Sequence, residues 1–337
     1  MFLIESIPAE YRERAVKTAA ALSGIDDVLI AAHIHPDGDA LGSMAAVGWM
    51  MQRAGKRQVI YAPTGIPENL HFLDLPGATC HSLRDLPFKP QSAVYLDCSE
   101  PARLGEALGA DYDSLPSVNI DHHLGSSGMG SVANFVESSA AATAQLVAYV
   151  IAASGQKLEG PVGRAVGLGL MTDTGGFCHG NTTADVFELC ANLSRNGCDF
   201  AHMRENLQKT WTLGRMHLWG RIFTRASLEL NDCLVICVVT RADLAEFSCS
   251  RDDVEGVVEW LRRLRKARIA AIIREDGRKL CKFSLRSFGD DDVRAIAAAL
   301  GGGGHRNAAG GTLSASPEEA KKCLLEAVEQ IGVCGCR

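Results

Sequence analysis

A chain of 337 residues exceeds the usual size of one hydrophobic core, so two domains are expected, and 47% hydrophobic with 22% charged residues is the composition of a folded protein. The net charge of −6 argues against steady binding to a long nucleic-acid duplex, which needs clustered cations, and 6% aromatic residues is poor material for a base-stacking platform. The longest apolar stretch, 140–155, is too short to span a bilayer, and Met1-Phe2-Leu3-Ile4 is halted by Glu5 before it can form a signal peptide, so a cytoplasmic protein is expected.

In chain order, Val28 to Ala32 reads as a buried strand that runs into His33-Ile34-His35-Pro36-Asp37-Gly38-Asp39. Ala40 to Ala54 has helical character and is closed by Gly55. Gln58 to Ala62 is a further strand. Ala93 to Leu96 leads into Asp97, and Ser117 to Ile120 into Asp121-His122-His123. An alanine-rich helix spans about 140–153, and a last apolar segment, Pro161 to Met171, ends at Thr172-Asp173. Strands alternating with helices predict an α/β fold with a doubly wound parallel sheet.

Beyond Asn192 the pattern changes. A helical stretch through Trp211 and Trp219 reads as a connector, followed by hairpin-like strands over 233–239 and 268–286 with a turn at Glu275-Asp276-Gly277. A helix near 291–300 leads into Gly301-Gly302-Gly303-Gly304-His305. The expected organisation is a metal-binding domain over 1–190, a helical connector over 191–215 and a smaller α/β domain over 216–337, with an active site in the cleft between them. Twelve cysteines without a C-x-x-C pair read as reduced thiols, and the Cys334-Gly335-Cys336 tail as a frayed end. The basic run 262–268 reads as a solvated helix end.

The chemistry lies in where acids and histidines fall. His33, Asp37, Asp39, Asp97, His122 and Asp173 each stand at or just past the end of an apolar run. In a parallel sheet those ends share one edge, where open α/β folds place their ligands. Asp37 and Asp39, two apart, would point to one side in an extended chain. Singly, each acid is more simply a helix cap or loop residue, as is His35. Six together are better explained by cations, since packed carboxylates repel one another. Oxygen donors with imidazoles and no thiolate suit Mn²⁺ or Mg²⁺, with Co²⁺ as a further candidate. Six protein ligands suit two ions that share a carboxylate. In 281–286, alternation puts Lys282, Ser284 and Arg286 on one strand face, where a guanidinium can grip phosphate.

Asp121-His122-His123 after Asn119-Ile120 resembles the signature of the DHH phosphoesterases. The segment 33–43, Asp97 after Tyr95-Leu96 and Asp173 before Thr174-Gly175 resemble that family's other motifs. Gly302-Gly303-Gly304-His305 with Ala308-Ala309-Gly310 resembles the DHH-associated C-terminal domain. The resemblance implies that His33, Asp37 and Asp97 hold one ion and that Asp39, Asp97, His122 and Asp173 hold another. Asp97 would bridge them, and His123 would face the substrate phosphate. Together with the alternation at 281–286, it makes Arg286, Ser287, Gly303, Gly304 and His305 the substrate-binding candidates.

Within the family the chain looks like the compact nanoRNase/pAp-phosphatase group. RecJ-type exonucleases carry extra modules, and family II pyrophosphatases lack the glycine-rich histidine segment. Gly176-Phe177-Cys178-His179 departs from the group's pattern. The activity expected is a two-metal, Mn²⁺-dependent exonuclease and phosphatase, taking short RNA to nucleoside 5′-monophosphates and pAp to AMP and phosphate. The alternatives are a phosphodiesterase of linear or cyclic dinucleotides and a non-catalytic nucleotide sensor. Neither long duplex nor membrane is an expected partner, and a homodimer is compatible with the sequence.

Overall fold

The computed structural model describes residues 4–109 and 114–333, and its contacts divide the chain into two units, 1–210 and 211–337. The Cys334-Gly335-Cys336 tail lies outside the described residues. No described helix is long and apolar enough to cross a membrane.

In the first unit, β1 (Val28–Ala32), β2 (Gln58–Tyr61), β3 (Thr79–Cys80), β4 (Ser92–Leu96), β5 (Ser117–Asp121) and β6 (Ala133–Val136) form one sheet in the order β3-β2-β1-β4-β5-β6. Every pairing in it is parallel. The chain therefore winds outward from β1 in one direction and from β4 in the other. The edge between β1 and β4 is a switch point, the place where such sheets open a crevice beyond the strands' carboxyl ends.

Strand residues alternate between two apolar layers. Val28, Ile30 and Ala32 face a core built with α1 (Ala9–Ser23), α2 (Gly38–Arg53), α4 (Thr143–Ala153) and α5 (Pro161–Asp173). Leu29 and Ala31 face a thinner layer that includes Leu104 and Leu108, the latter on α3 (Glu106–Gly109). A parallel sheet covered on both faces accounts for a strand such as β1 that is apolar throughout. Two helices, α6 (Ala184–Arg195) and α7 (Phe200–Gln208), complete the unit. The segment 161–171, which precedes Asp173, is thus a helix.

In the second unit, α8 (Leu213–Arg225) precedes β7 (Ser227–Glu229), β8 (Leu234–Val239), α9 (Arg241–Glu246), α10 (Val257–Leu261), β9 (Ile269–Gly277) and β10 (Leu280–Ser287). Then come α11 (Val293–Ala299), β11 (Gly303–His305), β12 (Ala308–Leu313) and α12 (Pro317–Ile331). The sheet order is β11-β12-β10-β9-β8-β7, with β8 and β9 parallel and the rest antiparallel. One face packs on α11 and α12; the other packs on α8, α9 and α10 through Val235, Cys237, Ala270 and Ile272. On that second face the apolar cover stops at β9. Among the described residues nine cysteines are free thiols, whereas Cys233 is disulfide-bonded and departs from the expectation of reduced thiols. The basic run ends in ion pairs, Arg262 with Glu259 and Arg268 with Asp291, as a solvated helix end would.

Candidate metal centre

Ala32 of β1 is in register with Leu96 of β4, so His33 and Asp97 leave adjacent strands side by side at the switch point. Asp97 adopts a left-handed backbone, φ +52°, while its N–H donates to Ile120 O at 3.1 Å. That conformation is costly for a residue with a Cβ, and such strain gathers where a side chain must be aimed. Asp121 ends β5, and His122 and His123 follow it.

Asp37 is the cap of α2: its Oδ1 accepts from the N–H groups of Asp39 and Ala40, both at 3.0 Å. Asp39 lies inside the first helical turn, so the two acids are not neighbours on an extended chain as the sequence suggested. Asp39 points inward, and its two oxygens accept from Thr143 N–H at 2.7 Å and Ala144 N–H at 2.9 Å, the first turn of α4. Asp173 is the last residue of α5 rather than a residue beyond a strand. The centre is therefore assembled from three strand ends, the starts of two helices and the end of a third.

Ligand-capable atoms fall into two groups: His33, Asp37 and Asp97, and Asp39, His122 and Asp173. The atoms of each lie within 4.8 Å of one another, and a third set, Asp97, His122 and His123, overlaps both. Asp97 joins them, with Oδ2 at 3.4 Å from His33 Nε2 and Oδ1 at 3.7 Å from His122 Nε2. His122 Nε2 also lies 3.5 Å from Asp173 Oδ2 and 3.9 Å from Asp39 Oδ2. The Nδ1 atoms of His33 and His122 face the backbone carbonyls of Ile34 (2.9 Å) and Ala140 (3.3 Å). An Nδ1–H donated there leaves Nε2 as the lone-pair donor turned inward, the orientation metal-binding histidines adopt.

His123 is held differently. Its Nδ1 is 2.7 Å from Asp121 Oδ1, and its Nε2 is 3.3 Å from an Arg103 Nη1. The hydrogen bond to Asp121 raises the His123 pKa against the opposing effect of burial, so the ring holds its proton more tightly than an ordinary histidine. Asp121 is itself held low by His123, although burial opposes this. Asp121 thereby fixes the orientation of the His123 ring.

Burial, with the nearby Asp97 and Asp173, pushes Asp39 well above the usual carboxylate range. Burial raises Asp173 too, aided by Asp97 and Asp37. Asp97 stays below the usual range, because the His33 hydrogen bond and the adjacent imidazoles outweigh its burial. Carboxylates crowded like this need a compensating cation to remain ionised together. Divalent ions fit the donor set, which is oxygen and nitrogen only: Cys98, next to Asp97, is a buried thiol pushed up to about 11 and donates to Glu100 O instead.

Two contributors went unread in the sequence. Thr143 Oγ1 donates to Asp97 Oδ1 at 2.9 Å, and its N–H serves Asp39. Its only sequence signal was a polar residue interrupting an apolar run. Arg103, next to His123, had no signal, because nothing in its spacing distinguishes it from a surface cation.

In the second unit Lys282, Ser284 and Arg286 share one face of β10, as alternation predicted, and line a hollow of about 320 Å³ with Arg274. Arg286 of β10, Ala308 of β12 and His305 of β11 stand in one row across the sheet, so Arg286 and His305 project from the same face with only a methyl group between them. Arg286 pairs with Glu259 through Nε. A Cβ on Gly303 would meet nothing within 4 Å on that face, whereas one on Gly304 would strike Ala308 O. Ser287 differs from its sequence assignment: it is buried on the opposite side, where its hydroxyl donates to Asp291 O at 2.6 Å and accepts from Asn307 Nδ2 at 2.9 Å.

A parallel α/β sheet whose switch point gathers carboxylates and imidazoles in groups that could hold cations is the framework of a metal-dependent enzyme, and the family match below makes it a hydrolase. Residues 27–170 match the model of the DHH family, N-terminal domain, and residues 231–332 match the DHHA1 domain. The chain belongs to the DHH family of phosphoesterases. It is 31% identical to the bifunctional oligoribonuclease and PAP phosphatase NrnA of Thermus thermophilus over 95% of each chain. It is 24% identical to the protein of that description in Bacillus subtilis, over 90% of this chain and 95% of that one. In structure it resembles an exopolyphosphatase-related protein from Bacteroides fragilis, with a TM-score of 0.82 at 22% identity over 95% and 96% of the two chains.

Proposed function

We propose that the chain is a manganese-dependent phosphoesterase that hydrolyses short oligoribonucleotides to nucleoside 5′-monophosphates and pAp to AMP and phosphate. One observation carries the reading: two three-residue donor groups joined through Asp97, with His123 beside them. The full-length relatives named for those two activities support the substrate class.

His33, Asp37 and Asp97 would hold one divalent ion, and Asp39, Asp97, His122 and Asp173 a second. Bound there, the ions supply Lewis acidity to the phosphoryl oxygens and lower the pKa of water. His123, oriented by Asp121, would donate a proton to a phosphate oxygen or to the leaving O3′. Arg286, Gly303, Gly304 and His305 would anchor the nucleotide's other phosphate. A sensor without catalysis has no need of the complete donor set.

The test is purified protein with Mn²⁺ against RNA from dinucleotides to long oligomers, pAp, cyclic dinucleotides and pyrophosphate. Turnover of dinucleotides and pAp, abolished by chelator and restored by Mn²⁺, is expected. Preference for cyclic dinucleotides or pyrophosphate would replace this reading with another branch of the family.

A further inference from the structure

The two proposed reactions break the same bond. In each, a water oxygen bonds to phosphorus, the P–O3′ bond breaks, and O3′ leaves and takes a proton. The substrates differ only in what else that phosphorus carries. In pAp it carries no second ester, whereas in a dinucleotide it carries O5′ of a second nucleoside. An enzyme that accepts both has space beside the scissile phosphate that one substrate fills and the other leaves to water.

The first unit contains such a space. A hollow of about 450 Å³ begins at Asp37 and Asp173, one member of each donor group, and extends to His35, Pro67, Asn69 and Leu207. Its volume is within the range of small-molecule sites, roughly 300–1,000 Å³. Pro67 and Leu207 give it apolar walls. The side chains of His35 and Asn69 accept or donate no hydrogen bond among the described residues and are exposed to the hollow's solvent. His35 has φ +55°, and its N–H is fixed by Thr64 Oγ1 at 2.8 Å, while the preceding Ile34 N–H is fixed by Arg103 O at 2.8 Å. Holding an imidazole in a backbone region that glycine occupies freely costs free energy, and such strain gathers at ligand-binding positions.

We propose that this hollow is the subsite for the nucleoside on the O5′ side of the scissile phosphate, with His35 stacking on or hydrogen-bonding to its base and Asn69 bonding to a base edge. The inference rests on the function proposed above, and it assigns His35 and Asn69 as residues that separate oligoribonucleotide from pAp activity.

The test uses full-length wild type, His35→Asn and Asn69→Ala. Asparagine tolerates the left-handed region better than most residues, so His35→Asn removes the imidazole and keeps the backbone. kcat and KM are measured for an RNA dinucleotide and for pAp. Equilibrium binding is measured with a dinucleotide in which a methylene replaces O3′, so that the scissile bond cannot break. In each variant the ratio of kcat/KM for dinucleotide to that for pAp is expected to fall about tenfold, the scale of losing one base contact, chiefly through KM. The analogue should bind more weakly by a similar factor. An unchanged ratio in an enzyme that cleaves both substrates overturns the subsite, because a hollow that holds only water gives that result. An analogue that binds wild type and both variants alike, or binds none of them, overturns it even if the protein hydrolyses neither substrate. The subsite stands apart from the proposed activity if the analogue binds wild type and loses affinity in the variants.

Discussion

Asp97 has more to do than any other side chain in the centre. One oxygen faces His33, and the other faces His122 and His123 while accepting from Thr143. Asp37, by contrast, belongs to one donor group and spends an oxygen on capping α2. Asp97→Asn is therefore expected to lower bound metal and turnover more than Asp37→Asn does, with at least a hundredfold loss of turnover, beyond the ~10–100-fold typical of residues outside the ligand shell. Metal per chain and kcat, measured side by side, check it; equal effects would remove the bridging role. His123, tied to Asp121 and Arg103, is expected to behave otherwise. His123→Ala should keep its metal and lose ~10²–10⁴-fold in turnover, the scale of a general acid. Metal lost in step with activity would move His123 into the ligand shell.

At the scale of elements, the centre depends on how closely α2 and α5 approach. A Cβ on Gly42 would lie 2.5 Å from Ala165 O and 3.1 Å from Gly169 N, backbone atoms that cannot turn aside. Gly42→Ala gains up to ~1 kcal/mol of helix propensity but forces the helices apart, which costs about 1–3 kcal/mol, so the clash is expected to win. Asp39 lies in the first turn of α2 and Asp173 at the end of α5, so the same change should weaken metal binding without touching a ligand. Gly220 in α8 is the control: its Cβ would meet nothing within 4 Å, and Gly220→Ala should stabilise by about 0.4–1 kcal/mol. Urea midpoints for both variants, with metal content for the first, check the pair. Loss of stability at Gly220 as large as at Gly42 would show that close packing is not the cause.

At the scale of the whole molecule, two units carry different parts of one proposed task. A generic phosphodiester such as bis-p-nitrophenyl phosphate needs the first unit's centre and has no nucleotide for Arg286 to hold. Interactions made equally in the ground and transition states lower KM without raising kcat. Arg286→Ala is thus expected to raise KM for dinucleotides and pAp by an amount worth ~1.5–3 kcal/mol, the range for a hydrogen bond to a charged group. The generic substrate's rate should be spared. Steady-state constants on both substrate types provide the check, and equal proportional losses would assign Arg286 to the fold or the chemistry.

The sequence by itself determined the parallel α/β character of the first unit, because largely apolar strands alternating with helices build a sheet covered on both faces. It also determined that Asp97 and the acid–histidine pairs end their strands at one edge, since register in a parallel sheet is fixed by the apolar runs. Alternation in β10 likewise showed which side chains share a face with Arg286, a period of two being local. Asp173 was legible as a candidate, but its helix was not, because an apolar run of that length serves a buried strand or a buried helix equally. Only the tertiary structure decided that Asp39 turns inward to meet α4, that Thr143 and Arg103 join the centre, and that Ser287 turns away. These contacts join residues up to 105 positions apart, and no local period encodes which distant backbone N–H or carboxylate a polar side chain will meet.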